Sequence, residues 1–395
     1  MPHPRSVVVL VIDRLGAGYL GPYGNTWLET PAFNRLAATS FLCEQMLSNA
    51  PELATVYQAY WLANGKSLPQ LAKDAGCRAI LVTDDEQVAQ FPTAQDFDEL
   101  HFVKPPANSS DIGKPAAEVE ETAFAALIET ASSLFSDSSE PRLIWIHARA
   151  MNGVWDAPLE LRQQFGDEED PTPAEIVRPP EEKIEGHADP DYLLSLAHAY
   201  AGQVSAVDSV LQAFLAAIDE LPNADEILFA VTSPRGYPLG EHQRIGACDS
   251  ALFGELLHIP CFLRFPHGEG ALARTQELIQ PADIAATIAD VAKWTTDSNL
   301  QSRSLLRLVR GEPTILRELI VAEAPHQKLI RTTAWQLRIS QNEAGEHYEL
   351  FAKPDDRWEA NDVASRCGDI ITGLIEHATQ PNNSDLPNEL TSPWR

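Results

Sequence analysis

One carboxylate stands out in this sequence because it ends an apolar run and is followed at once by a cation. Residues 7–12 read VVVLVI, and Asp13 and Arg14 come next. A carboxylate at the end of a buried strand is suited to a hard divalent cation, which prefers oxygen ligands. A neighbouring guanidinium would repel that cation and could pair with the carboxylate instead. The stretch therefore predicts either a metal site or an ion pair.

Two further groups could carry chemistry, and each has a plainer explanation. Asp84 and Asp85 follow a β-branched run and could bind a metal, but aspartate there more often forms a turn or a helix N-cap. His147 and Arg149 end another such run. Together with Asp156, they could line the mouth of a pocket or simply pack at the end of the strand.

The elements that must position these residues alternate between strands and helices. Short β-branched runs predict buried parallel strands, and segments of helical periodicity lie between them. This alternation predicts an α/β fold with a mainly parallel sheet covered on both faces. The predicted strands are 7–12, 79–83, 143–147 and 227–232. One predicted helix begins at Thr30–Ala32, and the others cover 68–75, 118–134 and 192–221.

Composition changes along the chain predict its domain organisation. Residues 163–191 contain ten acidic residues, five prolines and two basic residues, which predicts a solvated excursion. After residue 312, the runs 318–323, 328–339 and 347–351 predict antiparallel strands. We therefore expect an α/β domain over 1–311, a smaller α+β subdomain over 312–380 and a tail over 381–395.

The overall composition limits the partners of the chain. Its 395 residues carry a formal net charge of −28, which disfavours binding to nucleic acid or to a membrane surface. Five scattered cysteines without a C-x-x-C motif predict reduced thiols. We see neither a secretion signal nor an apolar run long enough for a membrane span, so we expect a cytoplasmic protein. A small anionic ligand or a protein partner remains compatible with this composition.

Eight blocks of sequence occur in the order of one known family and span nearly the whole chain. They resemble the sulfatase family of the alkaline phosphatase superfamily. The resemblance implies a three-layer sandwich with a mainly parallel central sheet and a small antiparallel C-terminal sheet. The blocks are VVVLVIDRLGAGYLGPYGN, TPAFNRLAATSF, WIHARAMNGVWDAPLELR, AYAGQVSAVDSVLQAFLAAID, VTSPRGYPLGEHQRIG, IPCFLRFP, QPADIAATIADVA and HYELFAKPDDRWEANDVA.

The resemblance also implies where a catalytic metal would bind. A sulfatase uses one divalent cation, usually calcium, held by two aspartates after the first strand and an Asp-(Asn/His) pair after a late strand. The corresponding residues of this chain are Asp13, Arg14, Pro234 and Arg235. We therefore expect no metal, with Ca²⁺ or Mg²⁺ bound only if the family site is retained after all. We also expect Asp13 to pair with Arg14 or Arg235, because a buried charge is costly without a partner.

The other catalytic positions of the family also differ. The nucleophile of its C/S-x-P-S-R motif would fall at Asn49, and the arginine of that motif at Leu53. A carboxamide cannot attack sulfur or phosphorus. Asn152 stands at the histidine of the family's P-H-x-P motif, and Ser48 could be a displaced nucleophile. His242 matches a further family position, although a histidine on a loop is more often a polar surface group.

These differences predict a sulfatase-like protein without sulfatase activity that acts in binding or scaffolding. The alternative is a hydrolase of a sulfate or phosphate ester, or another enzyme of anionic substrates, with an altered site in the same cleft. Such a site would use His147, Asp156, His242 or the two arginines.

Overall fold

The computed structural model describes residues 4–63, 65–105, 113–135, 140–247, 251–294, 303–343, 345–379 and 386–392. Among the cysteines, Cys43, Cys77, Cys261 and Cys367 are free. Cys248, and residues 381–385 and 393–395 of the predicted tail, lie outside the described residues.

The main body is built on an eight-stranded sheet in the order β12-β2-β11-β9-β1-β7-β5-β6. Its pairings are parallel except those that β11 makes with β2 and β9, so the sheet is mainly parallel, as predicted. In chain order the strands are β1 Ser6–Ile12, β2 Phe41–Met46, β3 Leu62–Ala63, β4 Lys66–Ser67, β5 Arg78–Thr83, β6 Glu99–Phe102, β7 Arg142–Ala148, β8 Glu182–Lys183, β9 Ile227–Thr232, β10 Arg244–Ile245, β11 Cys261–Arg264, β12 Arg274–Ile279, β13 Leu319–Ala324, β14 Gln327–Thr332, β15 Trp335–Asn342 and β16 Gly345–Ala352.

Helices cover both faces of this sheet. Side chains alternate between the two faces along a strand, so Val9 of β1 joins one apolar core and Leu10 joins the other. The result is the three-layer architecture that the sequence predicts. The helices are α1 Pro31–Thr39, α2 Leu53–Trp61, α3 Leu68–Asp74, α4 Glu86–Ala89, α5 Ala123–Ser133, α6 Leu159–Gln163, α7 Pro190–Asp219, α8 Gly254–Leu257, α9 Pro281–Val291, α10 Leu306–Val309, α11 Gly368–Thr379 and α12 Asn388–Thr391.

The longest helix, α7, lies within one of these cores. Its length and apolar composition would suffice for a membrane span, but 67% of its apolar stretch is buried inside the protein. Tyr200, Val204 and Leu211 of this helix are buried in the same core as Leu10. The helix therefore has the packing of a core helix.

The acidic segment before α7 is tied to the main body. Its residues 182–183 form β8, which pairs with β10. The guanidinium of Arg162, which is buried, donates to the backbone carbonyls of Ala174 and Ile176 at 2.6 and 2.9 Å. The segment is thus mostly irregular but not detached.

Strands β13–β16 form a separate antiparallel sheet in sequence order. The run 328–339, predicted as one strand, is divided between β14 and β15. Thr332 causes the break, because its hydroxyl accepts hydrogen bonds from the backbone N–H groups of Ala334 and Trp335 and so forms a turn. Leu390 of α12 is buried against this sheet.

Candidate functional site

Three ligand-type side chains meet at the carboxyl ends of β1, β7 and β5, which are neighbours in the sheet. His147 on β7 is paired with Val11 of β1 and Thr83 of β5. Asp13 and Asp85 each follow two residues after these partners, so they converge on His147. One oxygen of each carboxylate and one ring nitrogen lie within 4.8 Å of one another, and all three side chains are buried.

Arg235 binds Asp13 through both carboxylate oxygens. Its Nε and Nη2 atoms donate to Oδ1 and Oδ2 of Asp13, each at 3.0 Å. The third nitrogen, Nη1, donates to the carbonyl oxygen of Pro51 at 3.0 Å. Burial alone would lower the pKa of Arg235, but the charge of Asp13 and its hydrogen bonds raise it above the ordinary value. The ion pair expected from the sequence is therefore present, and Arg235 supplies it.

Arg14 does not pair with Asp13. It donates to Oδ1 of Asn152 at 3.1 Å and to the carbonyl oxygen of Gly236 at 3.3 Å. Burial and the nearby positive charge of Arg235 lower its pKa to about 10. Arg14 has a φ of 62°, a left-handed conformation that is uncommon outside glycine, and its carbonyl accepts from the hydroxyl of Tyr200 at 2.7 Å. Arg14 and Asn152, both expected at active-site positions, are thus brought together.

His147 is fixed between a tyrosine and a carboxylate. Its Nδ1 atom lies 2.6 Å from the hydroxyl oxygen of Tyr57, and its Nε2 atom lies 3.6 Å from Oδ2 of Asp85. Nε2 has no hydrogen-bond partner among the described residues. The ring is fully buried, and His147 is not among the residues that line the small cavity at Arg149 and Asp156. Its position in the interior of the sheet accounts for this burial.

Asp85 has two roles at this site. It caps α4, as the plainer interpretation predicts, because Oδ1 accepts from the backbone N–H groups of Gln87 and Val88. Burial would raise its pKa, but the nearby His147 ring and the hydrogen bond from the backbone N–H of Gln87 outweigh burial and lower it. The proximity of Asp85 to Asp13 was missed, because the sequence does not give the order of strands in the sheet.

Arg149 and Asp156 line a small cavity of about 20 Å³ together with Asp84. Asp84 accepts a hydrogen bond from the backbone N–H of Arg149 at 2.8 Å, and burial raises its pKa to about 6. Asp156 accepts from the backbone N–H of Ala123, the first residue of α5, at 2.7 Å. A cavity of this size holds about one water molecule. Asp156 therefore stabilises a helix terminus, and the catalytic role considered for it has no geometric support.

The residues at the family's nucleophile motif lack reactive groups. Leu53 is buried at the start of α2. Pro234, at an expected metal-ligand position, is also buried and has no side-chain ligand atom. Asn49 accepts from the backbone N–H of Glu323 through its carbonyl, and its Oδ1 atom is buried without a hydrogen-bond partner among the described residues. Ser48 is buried and donates to the carbonyl of Ala50 at 2.9 Å, which does not suit a displaced nucleophile.

His242 has partners other than the Asp13 cluster. Its Nδ1 atom lies 2.8 Å from Oε1 of Glu255, and its Nε2 atom lies 3.3 Å from the carbonyl oxygen of Glu359. The ring stacks on Phe253, with centroids 3.7 Å apart. Both ring nitrogens of His242 therefore contact groups outside the Asp13 cluster, which gives no geometric support to a catalytic role there.

The mainly parallel sheet and the separate antiparallel C-terminal sheet are the architecture expected of the alkaline phosphatase superfamily. The sequence profile of the family described as Sulfatase matches residues 5–294. The chain belongs to the sulfatase family.

Solved structures with the same fold include two phosphonate monoester hydrolases and one protein in complex with a sugar disulfate substrate. The phosphonate monoester hydrolase of Agrobacterium radiobacter is 16% identical with a TM-score of 0.76, and 96% of this chain and 94% of that chain are covered. BT4656, solved in complex with its substrate D-glucosamine-2-N,6-O-disulfate, is 15% identical with a TM-score of 0.77. The match covers 98% of this chain and 99% of that chain. The phosphonate monoester hydrolase SpPMH from Silicibacter pomeroyi is 16% identical with a TM-score of 0.68. The match covers 95% of this chain and 94% of that chain. At such identities the likeness shows the fold alone. The chain has no significant match among curated proteins.

The family normally uses a divalent cation, and the cluster of Asp13, Asp85 and His147 contains metal-ligand atoms at metal-site spacing. The two carboxylates already have other hydrogen-bond partners. Both oxygens of Asp13 accept from Arg235, and Asp85 caps a helix. Calcium takes six to eight oxygen ligands, and an imidazole suits zinc or another transition metal better. The residues therefore do not fit a calcium ion, and any divalent cation at Asp13 would lie beside a guanidinium.

Proposed function

We propose that this protein is a sulfatase-family member in which Arg235 replaces the catalytic metal. We propose further that it acts by binding a ligand or partner and does not hydrolyse an ester. The observation that carries the proposal is the two-bond ion pair between Arg235 and Asp13. The guanidinium supplies the positive charge that a buried Asp13 needs. The site would then be stable without a cation.

An arginine replaces the charge of a metal but not its chemistry. A bound cation polarises an ester oxygen and can lower the pKa of a bound water molecule or hydroxyl group. A guanidinium has no coordination position and donates only hydrogen bonds. Asn49, at the nucleophile position, supplies no attacking atom. Loss of both functions supports a binding role for the site.

Metal analysis together with an ester assay tests this proposal. The purified chain, dialysed without chelator, is analysed for Ca, Mg, Mn and Zn. It is then assayed on p-nitrophenyl sulfate, p-nitrophenyl phosphate and p-nitrophenyl phenylphosphonate with each cation added. We expect far less than one metal ion per chain and no turnover above that of the Asp13→Asn variant. One bound ion per chain, or turnover that Asp13→Asn abolishes, would overturn the proposal.

The second candidate is a metal-dependent hydrolase of a sulfate or phosphate ester. The observation in its favour is the Asp13–Asp85–His147 cluster, in which Nε2 of His147 has no hydrogen-bond partner among the described residues. This function requires Arg235 to release Asp13 when the cation binds. Metal-dependent turnover in the same assay, lost on His147→Gln, would establish it.

A further inference from the structure

A large cavity lies between the glycine-rich turn that follows β1 and the C-terminal sheet. Its volume is about 810 Å³, within the range of about 300–1,000 Å³ that is typical of small-molecule sites. Tyr19 of the turn lines it on one side, and Arg331 and Gln336 line it on the other. Asp13 and Arg235 are not among its lining residues. The cavity is therefore separate from the site described above.

Arg331 is buried in this wall without an opposing charge in contact. The residue is 4% exposed. Its guanidinium reaches only the carbonyl oxygen of Trp335 and Oε1 of Gln45, each at 3.5 Å, and it forms no ion pair with a described residue. Burial lowers its pKa to about 10, although the charge of Glu359 opposes this shift. A buried guanidinium in contact with neutral oxygens alone lacks the compensation that such a group needs.

Gln336 presents a second unsatisfied donor on the same face. It lies directly opposite Arg331 in the β14–β15 pair, so the two side chains share one face of the sheet. Gln336 is 2% exposed, and its Nε2 atom has no hydrogen-bond partner among the described residues. Buried polar groups are nearly always hydrogen-bonded, so an amide of this kind indicates a missing acceptor.

The other cations of the cavity differ in how they are compensated. Arg274 pairs with Glu44 at 2.7 Å, and Lys353 pairs with Glu359 at 3.1 Å. Arg357 is exposed and forms no ion pair with a described residue. Arg331 and Arg357 are thus the two arginines of the wall that are available to an anion.

We propose that this cavity binds a small molecule through an oxyanion group, a carboxylate or a phosphate, held by Arg331, Gln336 and Arg357. Arginine suits this role because its planar guanidinium matches both kinds of oxyanion with two parallel hydrogen bonds. Trp27 and Trp358 also line the cavity and are 43% and 64% exposed. They offer flat apolar surface for a ring in the body of the ligand.

The net charge of the protein makes this location selective. A chain with a formal charge of −28 repels small anions over most of its surface. An anion therefore binds where arginines without carboxylate partners are concentrated. The inference does not depend on whether the Asp13 site is catalytic, because the two sites share none of their named residues.

Titration with simple probes tests the inference on the full chain. Inorganic phosphate, benzoate and glucuronate are titrated at constant ionic strength, with glucose as the uncharged control. Binding is followed by calorimetry and by tryptophan fluorescence, to which Trp27 and Trp358 contribute. We expect saturable binding of at least one anion and none of glucose. The relative affinities for phosphate and the carboxylates identify the preferred oxyanion.

Variants locate the binding site. Arg357→Ala removes an exposed side chain and is expected to weaken binding at least about tenfold, since charge-assisted hydrogen bonds are among the stronger ones. Arg35→Ala removes an exposed arginine that pairs with Asp219 and serves as the matched control. Gln336→Met keeps the side-chain volume, and we expect it to weaken binding without lowering the melting temperature.

Three results would overturn the inference. The first is the absence of saturable binding for every anion at millimolar concentrations. The second is an equal loss of affinity in Arg357→Ala and Arg35→Ala, which would indicate general electrostatics. The third is unchanged affinity in Gln336→Met.

Discussion

Arg235 and Asp13 lie 222 residues apart in sequence and form two hydrogen bonds of 3.0 Å each between guanidinium and carboxylate. Asp13 is fully buried, and the side chain of Arg235 is 11% exposed. The pair joins the segment after β1 to the segment after β9, which are neighbouring strands of the central sheet. The resemblance to the family motifs implies that both residues correspond to metal-ligand positions of sulfatases.

Removing the guanidinium should uncover the metal-binding capacity of the cluster. In Arg235→Ala, Asp13 loses its counter-charge, and we expect the free energy of unfolding to fall by about 3–5 kcal/mol. Mn²⁺ or Zn²⁺ should recover part of that loss, because Asp13, Asp85 and His147 provide two carboxylates and an imidazole. Melting temperature with and without each cation measures both effects.

Two variants serve as controls for this prediction. Arg235→Lys keeps a positive charge at the position and should show no stabilisation by metal. The double variant Asp13→Asn, Arg235→Ala lacks a ligand and should not respond either. Stabilisation of the wild type by Mn²⁺ as large as that of Arg235→Ala would contradict the prediction.

Asp84 should reduce stability at neutral pH. Burial raises its pKa from 3.8 to about 6, so the folded state binds more protons than the unfolded state between these values. Stability therefore falls as pH rises through this window, and the cost is complete above it. Asp84→Asn removes the charge and keeps an acceptor for the backbone N–H of Arg149. We expect it to stabilise the protein by roughly 2–3 kcal/mol at about pH 8, at about 1.4 kcal/mol per pKa unit.

Urea unfolding of Asp84→Asn at about pH 8 and about pH 4 tests this expectation. The gain should be much smaller at the lower pH, because Asp84 is protonated there in the folded state and only partly ionised in the unfolded state. A gain of the same size at both pH values would mean that packing, and not charge, is responsible.

His242 should stabilise the protein at low pH more than at high pH. Burial would lower its pKa, but the hydrogen bond and charge of Glu255 raise it above the ordinary value. The contribution is therefore complete below the unfolded pKa of about 6.5 and is lost as pH rises through the folded pKa. We expect His242→Gln to lower the melting temperature more at about pH 6 than at about pH 9.

Glu255→Gln is the companion variant for this ion pair. It removes the other charge of the pair and should reproduce the same dependence on pH. A pH-independent loss in either variant would indicate that the stacking on Phe253 alone is responsible.

The strands were predictable because burial on both faces leaves a continuous apolar run. The strand 227–232 agrees with β9 at both ends, and 7–12 differs from β1 by one residue. The prediction of one strand over 328–339 was wrong because apolar residues continue through a turn that the hydroxyl of Thr332 creates. Hydrophobic pattern alone does not reveal such a turn.

The candidate site was predictable only in part, for a reason of topology. The resemblance to the family motifs implies that Asp13, Arg14 and Arg235 share one site, and this was sufficient to expect Asp13 to pair with one of the two arginines. His147 and Asp85 join them because β7 lies between β1 and β5. No local segment of the sequence determines this order of strands. Arg331 and Gln336 likewise meet through strand register, so neither was predicted as part of a site.

The 810 Å³ cavity has a mechanical consequence that follows from the origin of its walls. One wall belongs to the turn after the first strand of the main body, and the other belongs to the small sheet formed near the end of the chain. A molecule that contacts both walls would hold the small sheet against the main body. Its binding free energy adds directly to the work of pulling the small sheet away from the main body.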